Sequence, residues 1–151
     1  MYEEKFMRYA LARAKKAASI GEVPVGAVVV QNGKLISSGY NRRESKKNAL
    51  MHAEITAIDR ACKRLGGWRL CGCDLYVTLE PCPMCAGAII NARLEHIYVG
   101  TRDPKAGAFG SVCDLAQMPL NHKPEVTYGY LEQDCTEILK QFFRTLRNRN
   151  R

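Results

Sequence analysis

The sequence predicts a three-layer α/β/α domain on a mixed sheet. Three observations predict it: segments of helical and of strand period alternate along the chain, an Asn-Gly pair joins the first two strands, and helical stretches separate later strands that need parallel crossovers. From Tyr2 to Ser19, Phe6, Ala10, Ala14, Ala17 and Ala18 recur at three- and four-residue steps among Lys and Arg, an amphipathic first helix that Gly21 ends. Val23 to Gln31 is a β-branched run too continuous for a half-exposed strand, and Asn32-Gly33 turns it back into Lys34 to Tyr40. After the polar stretch Asn41 to Asn48, Ile55, Ile58, Cys62 and Leu65 share one face of a second helix, stopped by Gly66-Gly67. Asp74 to Leu79 is a third strand, and Pro83 lies in the first turn of a third helix that ends near Ala92. Ile97 to Gly100 is a fourth strand, Thr101 to Gly110 a Gly-rich loop, and Glu125 to Leu131 a fifth strand. Cys135, Ile138, Leu139, Phe142, Phe143 and Leu146 stripe a last helix, and the basic end at about 147–151 is expected to fray.

At 151 residues and 46% apolar content, the chain suits one compact domain, taken as 1–151. Twenty-three Lys and Arg against 15 Asp and Glu give a net charge of +8, which favours a polyanionic partner such as nucleic acid. No window approaches the roughly 18–20 apolar residues of a membrane helix, so a soluble, cytoplasmic protein is expected. Seven cysteines with no secretory signal point to thiols or metal ligands and against a disulfide framework.

Two segments carry the chemistry: His52-Ala53-Glu54, opening the second helix, and Pro81-Cys82-Pro83-Met84-Cys85, opening the third. Cys82 and Cys85, three apart, share one face of a helical turn, and His52 supplies a third ligand for one ion. Three protein ligands leave a position open for water, as catalytic zinc requires. The helix N-terminus favours thiolates, and two thiolates cancel the ion's formal charge, so a nearby base becomes more necessary. Glu54 is that base, and it meets His52 at one centre only from the helix end.

Other readings stay open. The Cys-x-x-Cys pair also suits a redox dithiol, Glu54 an acid that merely complements the helix dipole, and Cys71 or Cys73 a fourth ligand of a closed site. Cys62 and Cys135 read as small core residues, Cys113 is uninformative, and His96 reads as packed or exposed. Asn121-His122 lies in a loop after Pro119, where binding residues often collect, although the residues by themselves read first as ordinary loop positions.

His-x-Glu followed by Pro-Cys-x-x-Cys resembles the signature of the cytidine and nucleobase deaminases. Further likeness to the bacterial tRNA-specific adenosine deaminases lies in Glu22-Val23-Pro24-Val25-Gly26-Ala27, in Asn41, in Tyr76 to Ala88, in Asp103, in Asn121-His122 and in Phe142-Phe143-Arg144. The resemblance covers nearly the whole chain. It implies a cytidine deaminase-like fold with five strands and a homodimer whose sites are partly built at the subunit interface. It also implies one zinc ion per subunit on His52, Cys82 and Cys85. The activity implied is hydrolysis of adenosine to inosine at the wobble position of a tRNA anticodon. Glu54 is the implied proton carrier, moving a proton from water to N1 and then to the departing amino group. Asn41 would hold the flipped base, with Pro24, Val25 and Ala53 beside it. Asp103, Asn121, His122, Phe143 and Arg144 would meet the RNA. The alternatives are a deaminase of free guanine, cytosine or a nucleoside, and a non-enzymatic zinc-stabilised RNA-binding module.

Overall fold

The computed structural model describes residues 1–150. Its elements are α1 (Glu4–Ser19), β1 (Gly26–Gln31), β2 (Lys34–Tyr40), α2 (Ala53–Leu65), β3 (Cys73–Leu79), α3 (Pro83–Asn91), β4 (His96–Thr101), β5 (Glu125–Tyr128) and α4 (Glu132–Arg149), in the order the sequence predicts. The sheet runs β2-β1-β3-β4-β5, antiparallel over the first three strands and parallel over the last three.

Asn32 and Gly33 both take positive φ, 50° and 72°, the twist a two-residue hairpin between right-twisted strands requires. Alternation along the strands then sorts the core into two layers. Ala27, Val29, Leu75, Val77, Ile97 and Val99 pack with α2 and α3, whereas Val28, Val30, Tyr76 and Tyr98 pack with α1 and α4. Because β1 lies inside the sheet with both faces covered, its apolar run is unbroken.

Several boundaries differ from expectation. β1 starts at Gly26, not Val23, because Pro24 offers no amide to a ladder. β5 stops at Tyr128, where Gly129 turns the chain at φ 93°. α4 runs through Arg149, into the basic end, and Arg151 lies outside the described residues. Of its apolar stripe only Cys135 is buried, and Phe143 and Leu146 stay exposed.

The buried face of the second helix shares Ile58 with the expected stripe and is otherwise shifted onto smaller side chains. Ala53, Glu54, Thr56, Ala57, Ile58 and Ala61 are buried, while Leu65 is exposed. The cause is close approach. A Cβ on Gly39 of β2 would run into the carbonyl oxygen of Ala53 and come within 2.9 Å of the Ala57 nitrogen, so only small side chains fit between helix and strand. Gly39→Ala is accordingly expected to destabilise the protein by about 1–3 kcal/mol through overpacking, read as a lower midpoint in urea unfolding at unchanged slope.

The pairing also decides where a site can form. Because β1 is antiparallel to β2 and β3, the start of β1, the end of β2 and the end of β3 gather at one edge. α2 and α3 both begin there, and the 102–124 connection from β4 to β5, which holds only a short 3₁₀ turn at Leu115–Gln117, leaves from that edge. Among the described residues no helix is long and apolar enough to cross a membrane.

Candidate active site

His52 and Cys82 are the cap residues just outside α2 and α3, each in extended backbone conformation. Their carbonyls accept the first helical bonds, from Thr56 and Ala86. Pro83 suits the first turn of α3, where an amide would have no helical partner. From these caps the His52 Nδ1 lies 3.6 Å from Cys82 Sγ and 3.5 Å from Cys85 Sγ. Among the described residues these three form the one set of His, Cys, Asp or Glu ligand atoms lying within 4.8 Å of one another. Cys71, Cys73 and Cys113 do not join it.

The set fits zinc. A tetrahedral ion with bonds of about 2.3 Å to sulfur and about 2.0–2.1 Å to nitrogen holds those atoms roughly 3.6 Å apart. Without an ion the three donors compete for protons. The Cys82 thiol is pulled down to about 4, chiefly by its hydrogen bond with Cys85 and also by His52. The same bond, with burial, pushes the Cys85 thiol up. The bond to Cys82 likewise raises the His52 imidazole above its ordinary value. A divalent cation would displace the protons held by Cys85 and His52 as it bound.

Glu54 points into the same place. It is 4% exposed, and burial, the largest cause, raises its carboxyl to about 7. The neighbouring His52 and Cys85 side chains offset part of that rise. The cavity in front of it measures about 190 Å³ and is walled by Val25, Asn41, Ala53 and Asp103 among others, with His52, Glu54 and Cys82 inside. Asn41 is 8% exposed and ties two wall segments together: its Nδ2 donates to the Val23 carbonyl at 3.2 Å, and its Oδ1 accepts from the Arg43 amide at 3.2 Å. Asp103 Oδ1 accepts from the amides of Lys105 and Ala106, so it shapes its own turn while standing in the wall.

The remaining expected residues lie elsewhere. Pro24 is buried behind the wall and is absent from the cavity lining. Phe143 and Arg144 line a separate groove of about 600 Å³ with Lys105, Lys140 and Arg147, next to the loop that carries Asp103. Asn121 is exposed, and the His122 Nε2 donates to the Leu94 carbonyl at 2.6 Å, away from the cavity. His96 stacks on Tyr98, and its Nε2 is 2.9 Å from Thr127 Oγ1. A larger groove of about 710 Å³ between α1 and α4 holds neither histidine nor cysteine. Arg43, Glu80 and Ala106 also line the cavity and were not anticipated, since no local spacing marks them.

Known proteins share this arrangement of elements. A family model described as MafB19-like deaminase matches residues 1–147. The chain is 49% identical over 150 residues to a tRNA-specific adenosine deaminase of Bacillus subtilis, covering 99% of this chain and 93% of that one. It is 48% identical over 143 residues to the tRNA-specific adenosine deaminase of Agrobacterium fabrum, covering 94% of each. A solved structure from studies of A-to-I editing by tRNA:A34 deaminases superposes with a TM-score of 0.89 at 45% identity, covering 91% of this chain and all of that one. A guanine deaminase of Nitrosomonas europaea superposes with a TM-score of 0.78 at 26% identity, over 93% of this chain and 84% of that one. With its helix-end His-Cys-Cys set, its buried Glu54 and a match over nearly its whole length, this chain belongs to the MafB19-like deaminases, in the family of the tRNA-specific adenosine deaminases.

Proposed function

We propose that the chain hydrolyses adenosine to inosine at the wobble position of a tRNA anticodon. It acts as a single deaminase domain across residues 1–151, as a homodimer with one zinc ion per subunit. The observation that carries the reading is the buried Glu54 carboxyl group facing a small cavity lined also by His52 and Cys82, two members of the His52, Cys82 and Cys85 set. Zinc held by those three residues would supply the Lewis acidity that makes water a nucleophile near neutral pH. Glu54 takes a proton from the attacking water and hands it to N1 of adenine as oxygen bonds to C6. It then takes the second proton of that oxygen to the amino nitrogen, so that the C6–N bond breaks, ammonia leaves and the base becomes hypoxanthine. Val25 and Ala53 flank the base, and Asn41 holds its own wall and faces the ligand.

Substrate size follows from the cavity. At about 190 Å³ it lies below the roughly 300–1,000 Å³ of drug-sized sites, so it admits one base and leaves the rest of a polynucleotide outside. An unpaired anticodon-loop base turns outward at small cost, whereas a duplex base must first lose pairing and stacking. Outside the cavity, the groove of Lys105, Lys140, Arg144 and Arg147 with Phe143 offers cations for phosphate and a ring for stacking. Leu50, Val112, Met118 and Leu120 are exposed, apolar surface of the kind a second copy would cover.

The test is incubation of the zinc-loaded protein with an anticodon stem-loop bearing adenosine at the wobble position, beside free adenosine, cytidine and guanine. Inosine is expected from the stem-loop alone, and conversion of a free base without the stem-loop would overturn the reading. Salt gives a second check. With about three phosphates engaged, RNA turnover at low substrate should fall roughly twentyfold to fortyfold between about 50 and 200 mM salt, whereas a free-base reaction would barely respond.

A further inference from the structure

Glu80 is 2% exposed and makes the densest side-chain network among the loops around the cavity. Its Oε1 accepts from the Asp103 amide at 3.1 Å and from the Ser111 hydroxyl. Its Oε2 accepts from the amides of Phe109 and Ser111, each at 3.1 Å. Gly107 lies so close that a Cβ there would run into the carboxylate. The same strand end is tied to this loop through its backbone: the Glu80 amide donates to the Thr101 carbonyl at 2.9 Å, and the Ala108 amide donates to the Pro81 carbonyl at 2.8 Å. Cys82, two residues on from Glu80, is a ligand of the proposed metal. The 103–111 loop is therefore pinned directly to the start of the metal-ligand helix.

A buried carboxylate is costly unless its lone pairs are used, and here both oxygens are. With every acceptor position committed to the loop, Glu80 has no capacity left to carry protons for a substrate. The opposite wall is built alike. Glu22, 1% exposed, accepts from the amides of Glu44 at 3.0 Å and Ser45 at 2.7 Å, holding the stretch that brings Asn41 and Arg43 to the cavity.

We propose that Glu80 is a positioning residue for the substrate: it sets Asp103 and Ala106 at a defined place relative to the metal-ligand helix, and so governs how tightly the nucleotide is held and not how fast it reacts. The inference rests on the deaminase reading above. Glu80→Gln keeps the side chain's size, but whichever way the amide is turned, its nitrogen confronts a backbone N–H that the carboxylate had satisfied.

The experiment compares zinc-loaded wild-type and Glu80→Gln chains on the anticodon stem-loop, with zinc content measured on both. Expected are a KM raised at least about tenfold, kcat within roughly threefold of wild type and unchanged zinc. An unchanged KM, a loss confined to kcat, or lost zinc would each overturn the proposal. Should Glu80→Gln fail to fold, Ser111→Ala removes one donor of the network without stranding a charge. A KM raised about threefold at unchanged kcat is expected of it, and a wild-type KM would count against the proposal. If the wild-type chain instead converts only a free base, the function reading fails, and the same KM-against-kcat comparison on that base still decides the role of Glu80.

Discussion

Glu54→Ala is expected to keep its metal and to lose turnover by about 10²–10⁴-fold, the usual contribution of a positioned general acid–base group. The three atoms of the candidate metal set belong to His52, Cys82 and Cys85, so removing the carboxylate leaves that set intact. Glu54 nevertheless faces the same cavity, and at 4% exposure it is shielded from bulk water as a substitute. The fold should survive as well, because what is deleted is a desolvated carboxyl group whose burial disfavours its charge. Metal analysis and single-turnover rates on one preparation decide the matter. A variant that turns over at the wild-type rate with its metal bound would remove Glu54 from the chemistry. Glu54→Gln, which keeps the shape and cannot accept a proton, should be as inactive as alanine.

Cys85→Ser is expected to lose metal, activity and stability together. Cys85 is fully buried at the base of the ligand set, and its sulfur lies 3.5 Å from His52 Nδ1. A serine hydroxyl stays protonated where a thiolate is needed, so metal affinity should fall by more than the about 10–100-fold typical of changes outside the ligand shell. Because metal bound only to the folded state stabilises it by mass action, zinc at about 1,000 times its Kd contributes roughly 4 kcal/mol. For a chain of this size that is about 8–16 °C in Tm. Chelation of the wild-type protein should lower Tm by a similar amount, and added zinc should restore both Tm and turnover. Cys71→Ser and Cys113→Ser, both at exposed positions outside the set, should keep full metal content. Loss of metal from either would mean a closed, four-ligand site and would count against catalysis there.

The ligand set and Glu54 were legible in the sequence because their geometry is local. A three-residue cysteine spacing on a first helical turn, and a histidine two residues before a glutamate at another helix start, constrain directions without knowledge of the rest of the chain. The order of elements was legible for a similar reason, since the hairpin turn and the helical periods are short-range signals. Misreadings arose where packing overrode period. The apolar spacing of Ile55, Ile58, Cys62 and Leu65 pointed to one face of α2, yet Gly39 draws the helix so close that Ala53, Ala57 and Ala61 take the buried side.

The sequence by itself determined the chemistry available to this protein: one imidazole, two sulfurs and a carboxylate, each set at a helix start by spacing alone. Only the tertiary structure decided the shape of the space in front of them. The antiparallel β2-β1-β3 pairing brings Asn41, Val25 and Leu79 to one edge, and Glu22 and Glu80 hold the two loops across it through main-chain amides from distant parts of the chain. Helix-end geometry is written in neighbouring residues, whereas a cavity wall depends on which remote segments pair, and no local pattern encodes that.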